Sequence, residues 1–134
     1  MGAVSRAAIE GGTPVIGVEP AFFIEAGVAQ HDLTELFVCD TMGERKAKMI
    51  ELGDAFIAFP GGTGTLEEIA EVMSKVSLGQ LDAPCILYDL NGYYDSLKAL
   101  LAKMIEKGLS TPQRQQGIRF AANLEEITTI LNKA

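Results

Sequence analysis

The chain has 134 residues, 48% of them apolar and 22% charged, which is enough for one domain with a core and is not the composition of a disordered segment. A net charge of −7 argues against a nucleic-acid binder, which needs a basic face to displace counterions. No apolar run approaches the ~20 residues of a membrane span and no basic-then-apolar leader is seen, so a cytoplasmic protein without a membrane partner is expected.

In chain order, "GAVSRAAIE" (2–10) predicts a short helix stopped by the glycines at 11 and 12. "PVIGV" (14–18) is a short β-branched apolar run, hence a strand, closed by Pro20. Residues 21–34 show no period and read as a loop. That loop carries His31, the only histidine, which has no Ser or Cys candidate beside it and reads as surface. "LFVC" (36–39) predicts a second strand and "ERKAKMIEL" (44–52) a helix stopped by Gly53. "AFIAF" (55–59) predicts a third strand, followed by "PGGTGT" and a helix from about Thr65 to Leu78. Its buried stripe is expected at Leu66, Ile69, Ala70, Met73 and Val76. "CILY" (85–88) is a strand and "NGYYD" a turn in which Tyr93 and Tyr94 pack against the sheet. A helix then runs from Asp95 or Ser96 to Lys107, and a weaker strand "IRFAA" precedes a last helix capped by Asn123, with capping-box spacing in "NLEE".

Short strands apolar on both faces, alternating with amphipathic helices, predict an α/β fold: a doubly wound, Rossmann-like parallel sheet with helices on both faces. Ligands of such sheets sit beyond the carboxyl ends of the strands. The two cysteines, Cys39 and Cys85, each lie in an apolar run and read as buried free thiols in a reducing compartment. No metal site is expected, since no His/Cys/carboxylate cluster has ligand spacing.

Gly61, Gly62 and Gly64 let the backbone approach a ligand closely, and the following helix adds its positive end, so a phosphate or carboxylate is the natural occupant. A tight turn without a ligand is the competing reading. No lysine follows Gly64, which argues against a nucleotide-hydrolysing P-loop and against phosphoryl transfer. Glu68, three residues after Thr65, has the spacing of a capping box, and Glu67 that of a first-turn acid favoured by the helix dipole. Arg45, Lys46 and Lys48 crowd the start of a helix against its dipole, which suggests an anionic or purine partner. The competing reading is a solvated face with Glu44 and Glu51 as partners. Both motifs follow strands and are expected on one rim of the sheet.

"RK" at 45–46 followed by "PGGTGTLEE" from 60 resembles the LONELY GUY family, long labelled lysine decarboxylases, whose pattern is an arginine-lysine pair and then P-G-G-x-G-T-x-x-E. Pro60, Gly61, Gly62, Gly64, Thr65 and Glu68 fill every defined position, and family-like segments run through the whole chain. The resemblance implies a phosphoribohydrolase that cleaves N6-modified adenosine monophosphates, and often AMP, to free base and ribose 5-phosphate. It implies no cofactor, and a homodimer or higher homo-oligomer. It puts the catalytic roles on Arg45 and Glu68, and substrate or phosphate binding on Glu25, Lys46, Gly61, Gly62, Thr63, Gly64, Thr65, Glu67 and Ser74. A binding module without catalysis is the alternative, and pyridoxal-dependent decarboxylation the weakest reading, for want of a suitable lysine. Gly43 stands where the family usually has a histidine. The chain also starts with a helix where the family starts with a strand. The expectation is therefore a single domain lacking an N-terminal β-α-β segment and part of its nucleotide site, with inactivity of the chain alone as one consequence.

Overall fold

A computed structural model describes residues 2–27 and 33–133; His31 lies outside them. The fold is α/β, with parallel strands joined by helical crossovers as the sequence predicts. The chain divides into two compact units, Met1–Leu52 and Gly53–Ala134.

In the first unit, α1 (Gly2–Glu10) ends where Gly12 turns left-handed at φ +79°, so that the N–H groups of Gly12 and Thr13 reach the Ile9 and Ala8 carbonyls at 2.9 Å. β1 (Ile16–Pro20) runs parallel to β2 (Glu35–Cys39), with Ile16 opposite Glu35 and Pro20 opposite Cys39. Between them, α2 (Ala21–Glu25) occupies part of the segment read as loop; five residues are too few to show a helical period. α3 (Met42–Leu52) begins two residues before its predicted start. Thr41 is the reason: its Oγ1 accepts from Glu44 N at 3.1 Å, while Glu44 Oε2 accepts from Asp40 N at 3.0 Å, a reciprocal cap.

Two expectations are corrected here. β2 is not covered on both faces: Leu36 and Val38 share a face that is open, Val38 being 55% exposed, and Phe37 and Cys39 share the partly buried one. Cys39 is accordingly only partly buried.

The second unit orders β3 (Phe56–Ala58), β4 (Cys85–Tyr88) and β5 (Ile118–Ala121) as a parallel three-stranded sheet with β4 in the middle. Cys85, Ile86 and Leu87 are all 0% exposed. Successive strand residues point to opposite faces, so both faces of β4 are covered. Burial of each large side chain there contributes about 1.5–3 kcal/mol. It also pushes the Cys85 thiol up to about 12, leaving it protonated and unreactive at neutral pH. α4 (Thr63–Ser77) packs on β3 and β4, α5 (Asp95–Glu106) follows β4, and α6 (Leu124–Leu131) packs on β5. The capping box predicted for α6 is present, with Asn123 Oδ1 accepting from Glu126 N at 2.9 Å and Glu126 Oε2 from Ala122 N at 2.8 Å. No helix of the described residues is long and apolar enough to cross a membrane.

Candidate functional site

The glycine loop leaves the carboxyl end of β3 and becomes α4 earlier than the sequence suggests, with Gly62 as N-cap and Thr63 as the first helical residue. Thr65 is therefore inside the first turn and does not cap the helix. Glu68 lies a turn further on, so the capping-box reading of Glu68 fails. Gly62 has no side chain with which to cap, and the N–H groups of residues 62–65 are the four that no carbonyl of the helix can reach. They are four donors at the positive end of the helix dipole.

The three glycines have different reasons. A Cβ on Gly61 would overlap Thr65 Oγ1 and lie 2.9 Å from Thr65 Cβ, so this glycine is needed for packing within the loop. A Cβ on Gly62 or Gly64 would meet nothing within 4 Å. Neither has a left-handed backbone, and Gly64 sits in a helix where alanine would be preferred. The protein itself does not require glycine at these two positions, whereas close approach by a ligand would.

The inward stripe of α4 keeps the predicted Ile69, Met73 and Val76, the last two partly buried, but differs from the prediction at three positions. Ile69 and Val72 are its buried residues, Leu66 is 46% exposed, and Ala70 is exposed. Thr65 and Glu68 are partly buried on the same stripe, while Glu67 and Ser74 face outward. A carboxylate-bearing residue thus occupies the inward face about 7.5 Å along the helix axis from Thr63, the first helical residue.

In the first unit, Arg45 is partly buried on α3, and its Nε donates to the Val18 carbonyl at 2.9 Å, near the carboxyl end of β1. One of the five guanidinium N–H donors is used in this bond. The adjoining Glu19 has a buried Oε2 without a hydrogen-bond partner among the described residues, a feature the sequence does not reveal. Lys46 is partly buried; Glu25 ends α2 and is exposed. Lys48 follows the bland reading, since its Nζ pairs with Glu51 at 3.0 Å and lies 4.8 Å from the Phe37 ring centroid. Each motif follows its own strand: β2 in the two-stranded sheet precedes Arg45, and β3 in the three-stranded sheet precedes the glycine loop.

Sequence reasoning gave Tyr93 and Tyr94 a packing role, which Tyr94 fills while Tyr93 is 53% exposed, and missed their hydrogen bonds to the loop. Tyr93 donates to the Gly61 carbonyl at 2.5 Å, and Tyr94 donates to the Phe59 carbonyl at 2.7 Å. They pack edge to face at 4.9 Å. Tyr94 is buried, its N–H held by Asp89 Oδ1 at 2.6 Å; burial first, and the neighbouring Tyr93 second, push its phenol up, so it stays protonated as a donor. The available clue was their position just past the carboxyl end of β4, beside β3.

A depression of about 1170 Å³ in the second unit, lined among others by Asp54, Pro84, Gly117 and Arg119, opens at the amino ends of the strands. It lies at the opposite end from the glycine loop, and the carboxyl ends are where parallel sheets bind ligands. The loop is therefore the candidate site.

The family model described as "Possible lysine decarboxylase" matches residues 1–131 and so runs through both units. Three curated relatives are each named cytokinin riboside 5′-monophosphate phosphoribohydrolase. One, from Rhodococcoides fascians, is 41% identical over 126 residues, 93% of this chain and 64% of that protein. Another, from Arabidopsis thaliana, is 39% identical over 127 residues, 95% of this chain and 60% of the relative. The third, from Mycobacterium tuberculosis, is 37% identical over 126 residues, 94% and 67% of the two chains. The chain thus spans about three fifths to two thirds of the length of these relatives.

Proposed function

The chain belongs to the LONELY GUY family, whose family model is described as possible lysine decarboxylase, and from that membership we propose that it hydrolyses the N-glycosidic bond of adenosine 5′-monophosphates, N6-modified ones included. The observation that carries this reading is Glu68, set on the inward face of α4 one turn beyond an uncapped, glycine-lined helix start. That spacing suits a ligand with an anion at one end and a reacting carbon a sugar's length away.

In this proposal, the N–H groups of residues 62–65 hold the 5′-phosphate, with Thr63 and Thr65 beside it. The C1′–N9 bond breaks as positive charge develops on the ribose, and Glu68 stabilises that charge and helps activate water. The water oxygen bonds to C1′, and a proton leaves with the base. On the family resemblance, Arg45 remains a proposed catalytic residue that favours departure of the base, and Lys46 a proposed binding residue. Glu25, Glu67 and Ser74 remain proposed binding residues on the family resemblance, although all three are exposed here. Assembly as at least a homodimer, and a cytoplasmic setting, belong to the same reading; two free thiols support the latter.

The decarboxylase label does not fit the residues. A lysine that forms a Schiff base with pyridoxal phosphate is commonly activated by desolvation, and no charged residue among those described is buried. Lys48, Lys75, Lys103 and Lys107 are instead in ion pairs with glutamates.

The test is release of adenine and ribose 5-phosphate from AMP, with adenosine, which lacks the phosphate, left intact. Gly64→Ala probes the cradle separately. It is expected to raise stability by about 0.5 kcal/mol in thermal denaturation, because alanine is the better helix former and meets no neighbour. The same change is expected to raise KM for AMP at least about tenfold by intruding on the phosphate. An unchanged KM would remove the cradle from the account.

A further inference from the structure

We infer that Tyr93 is a positioning residue that sets the direction of the first donor in the anion cradle, an inference that rests on the proposed reading of the glycine loop. The Tyr93 hydroxyl donates to the Gly61 carbonyl at 2.5 Å. The Gly61–Gly62 peptide is trans, as is every peptide of the described chain. In a planar trans peptide, the carbonyl of one residue and the N–H of the next point in opposite directions. Holding the Gly61 carbonyl on the tyrosine side therefore turns the Gly62 N–H to the other side. Gly62 is the N-cap, and its N–H is the first of the four groups that the helix leaves without a partner.

The lock matters because of the residues on either side. With glycine at both 61 and 62, no Cβ opposes rotation of the peptide between them, so the flipped orientation is sterically accessible. A flip would replace a donor in the cradle with a carbonyl oxygen, which repels an anion. Thr65 packs over Gly61 on one side, and Tyr93 supplies the directional contact to its carbonyl. Tyr93 itself is held in place by its edge-to-face contact with the buried Tyr94 and by the turn before it, where Asn91 is left-handed at φ 54° and Gly92 at φ +74°. A side chain at Gly92 would run into Asp95.

Tyr94 provides the internal control. Its hydroxyl holds the Phe59 carbonyl, but the following residue is Pro60, which has no N–H to aim. Tyr94 thus anchors the approach to the loop, and Tyr93 orients the loop's ligand-facing donor. Tyr93 is also 53% exposed, so removing its hydroxyl leaves the core untouched.

The experiment compares Tyr93→Phe and Tyr94→Phe with the wild-type chain in two measurements. Steady-state release of ribose 5-phosphate from AMP is expected to show KM raised about tenfold in Tyr93→Phe, with kcat within about twofold, because ground-state and transition-state binding lose the same donor. Its melting temperature is expected to stay within about 2 °C of wild type, whereas Tyr94→Phe should lose stability first. The second measurement is nuclear magnetic resonance of the ligand-free chain. In Tyr93→Phe, the Gly61 carbonyl carbon should shift and the Gly62 amide broaden as the peptide exchanges between orientations. An unchanged Gly62 amide overturns the inference, as does an unchanged KM in an active enzyme. So does a loss shared equally between kcat and melting temperature, which would make Tyr93 merely structural. If AMP is cleaved neither by the chain nor by a chain extended at its N-terminus, the hydrolase reading fails, and the Gly62 amide still decides the role of Tyr93.

Discussion

Replacing Glu68 by glutamine is expected to lower kcat for AMP cleavage by about 10³-fold while leaving KM and melting temperature close to wild type. The reasoning starts from the helix. Because α4 begins at Thr63 with Gly62 as its cap, Glu68 is beyond the first turn and has no capping role to lose. It is partly buried on the stripe that carries Ile69 and Val72, so its carboxylate is on the side of the helix that faces the protein. Glutamine keeps the shape and removes the charge. A carboxylate that stabilises a developing oxocarbenium ion or takes a proton from water typically contributes 10²–10⁴-fold. Glu67→Gln is the comparison: that exposed side chain is a proposed binding residue, so its loss should show in KM and change kcat by no more than about twofold. Steady-state kinetics on the three proteins would decide. A Glu68→Gln protein with more than about a tenth of wild-type turnover would remove Glu68 from the chemistry.

Arg45→Ala is expected to reduce kcat/KM for AMP by at least about 10²-fold, the loss typical of removing a donor aimed at developing charge. This variant also has a structural cost that must be separated. Arg45 Nε donates to the Val18 carbonyl at 2.9 Å, and losing that bond costs about 1 kcal/mol, seen as a drop of a few degrees in melting temperature. Arg45→Lys distinguishes the two effects. A lysine restores the positive charge but not the planar fork that can bind the β1 carbonyl and a ligand together. Activity should stay at least tenfold below wild type in Arg45→Lys at a temperature where the protein is fully folded. Full activity in that variant would reduce the role of Arg45 to that of a point charge.

Several elements could be read from sequence for a clear physical reason. "CILY" is apolar at every position, and only a strand covered on both faces requires that; β4 is such a strand. The ends of α1, α4 and α5 fall at Gly12, Gly79 and Gly108, each of which adopts positive φ, the conformation that makes glycine a readable helix stop. The Asn123–Glu126 cap could be read because its two hydrogen bonds need those residue types at that spacing.

The misreadings cluster at the functional end of α4. Hydrophobic periodicity finds the inward face by assuming that it is apolar, and here Thr65 and Glu68 occupy it. The apparent stripe therefore slid onto Leu66 and Ala70, which are exposed. Threonine is also a better cap than glycine, so the start was placed at Thr65 when Gly62 is the cap. The motif marks the candidate site, but its polar residues obscure the helix phase. The hydrogen bonds of Tyr93 and Tyr94 were missed for a different reason: they go to backbone carbonyls more than thirty residues away, and a carbonyl acceptor leaves no trace in residue type.

The most direct test of the central claim is product analysis after incubating the chain with AMP. Chromatography is expected to show adenine and ribose 5-phosphate appearing in equal amounts, with adenosine untouched under the same conditions. AMP recovered intact from a tight complex with a chain extended at its N-terminus, with no free base formed, would contradict the account and leave a nucleotide-binding module in its place.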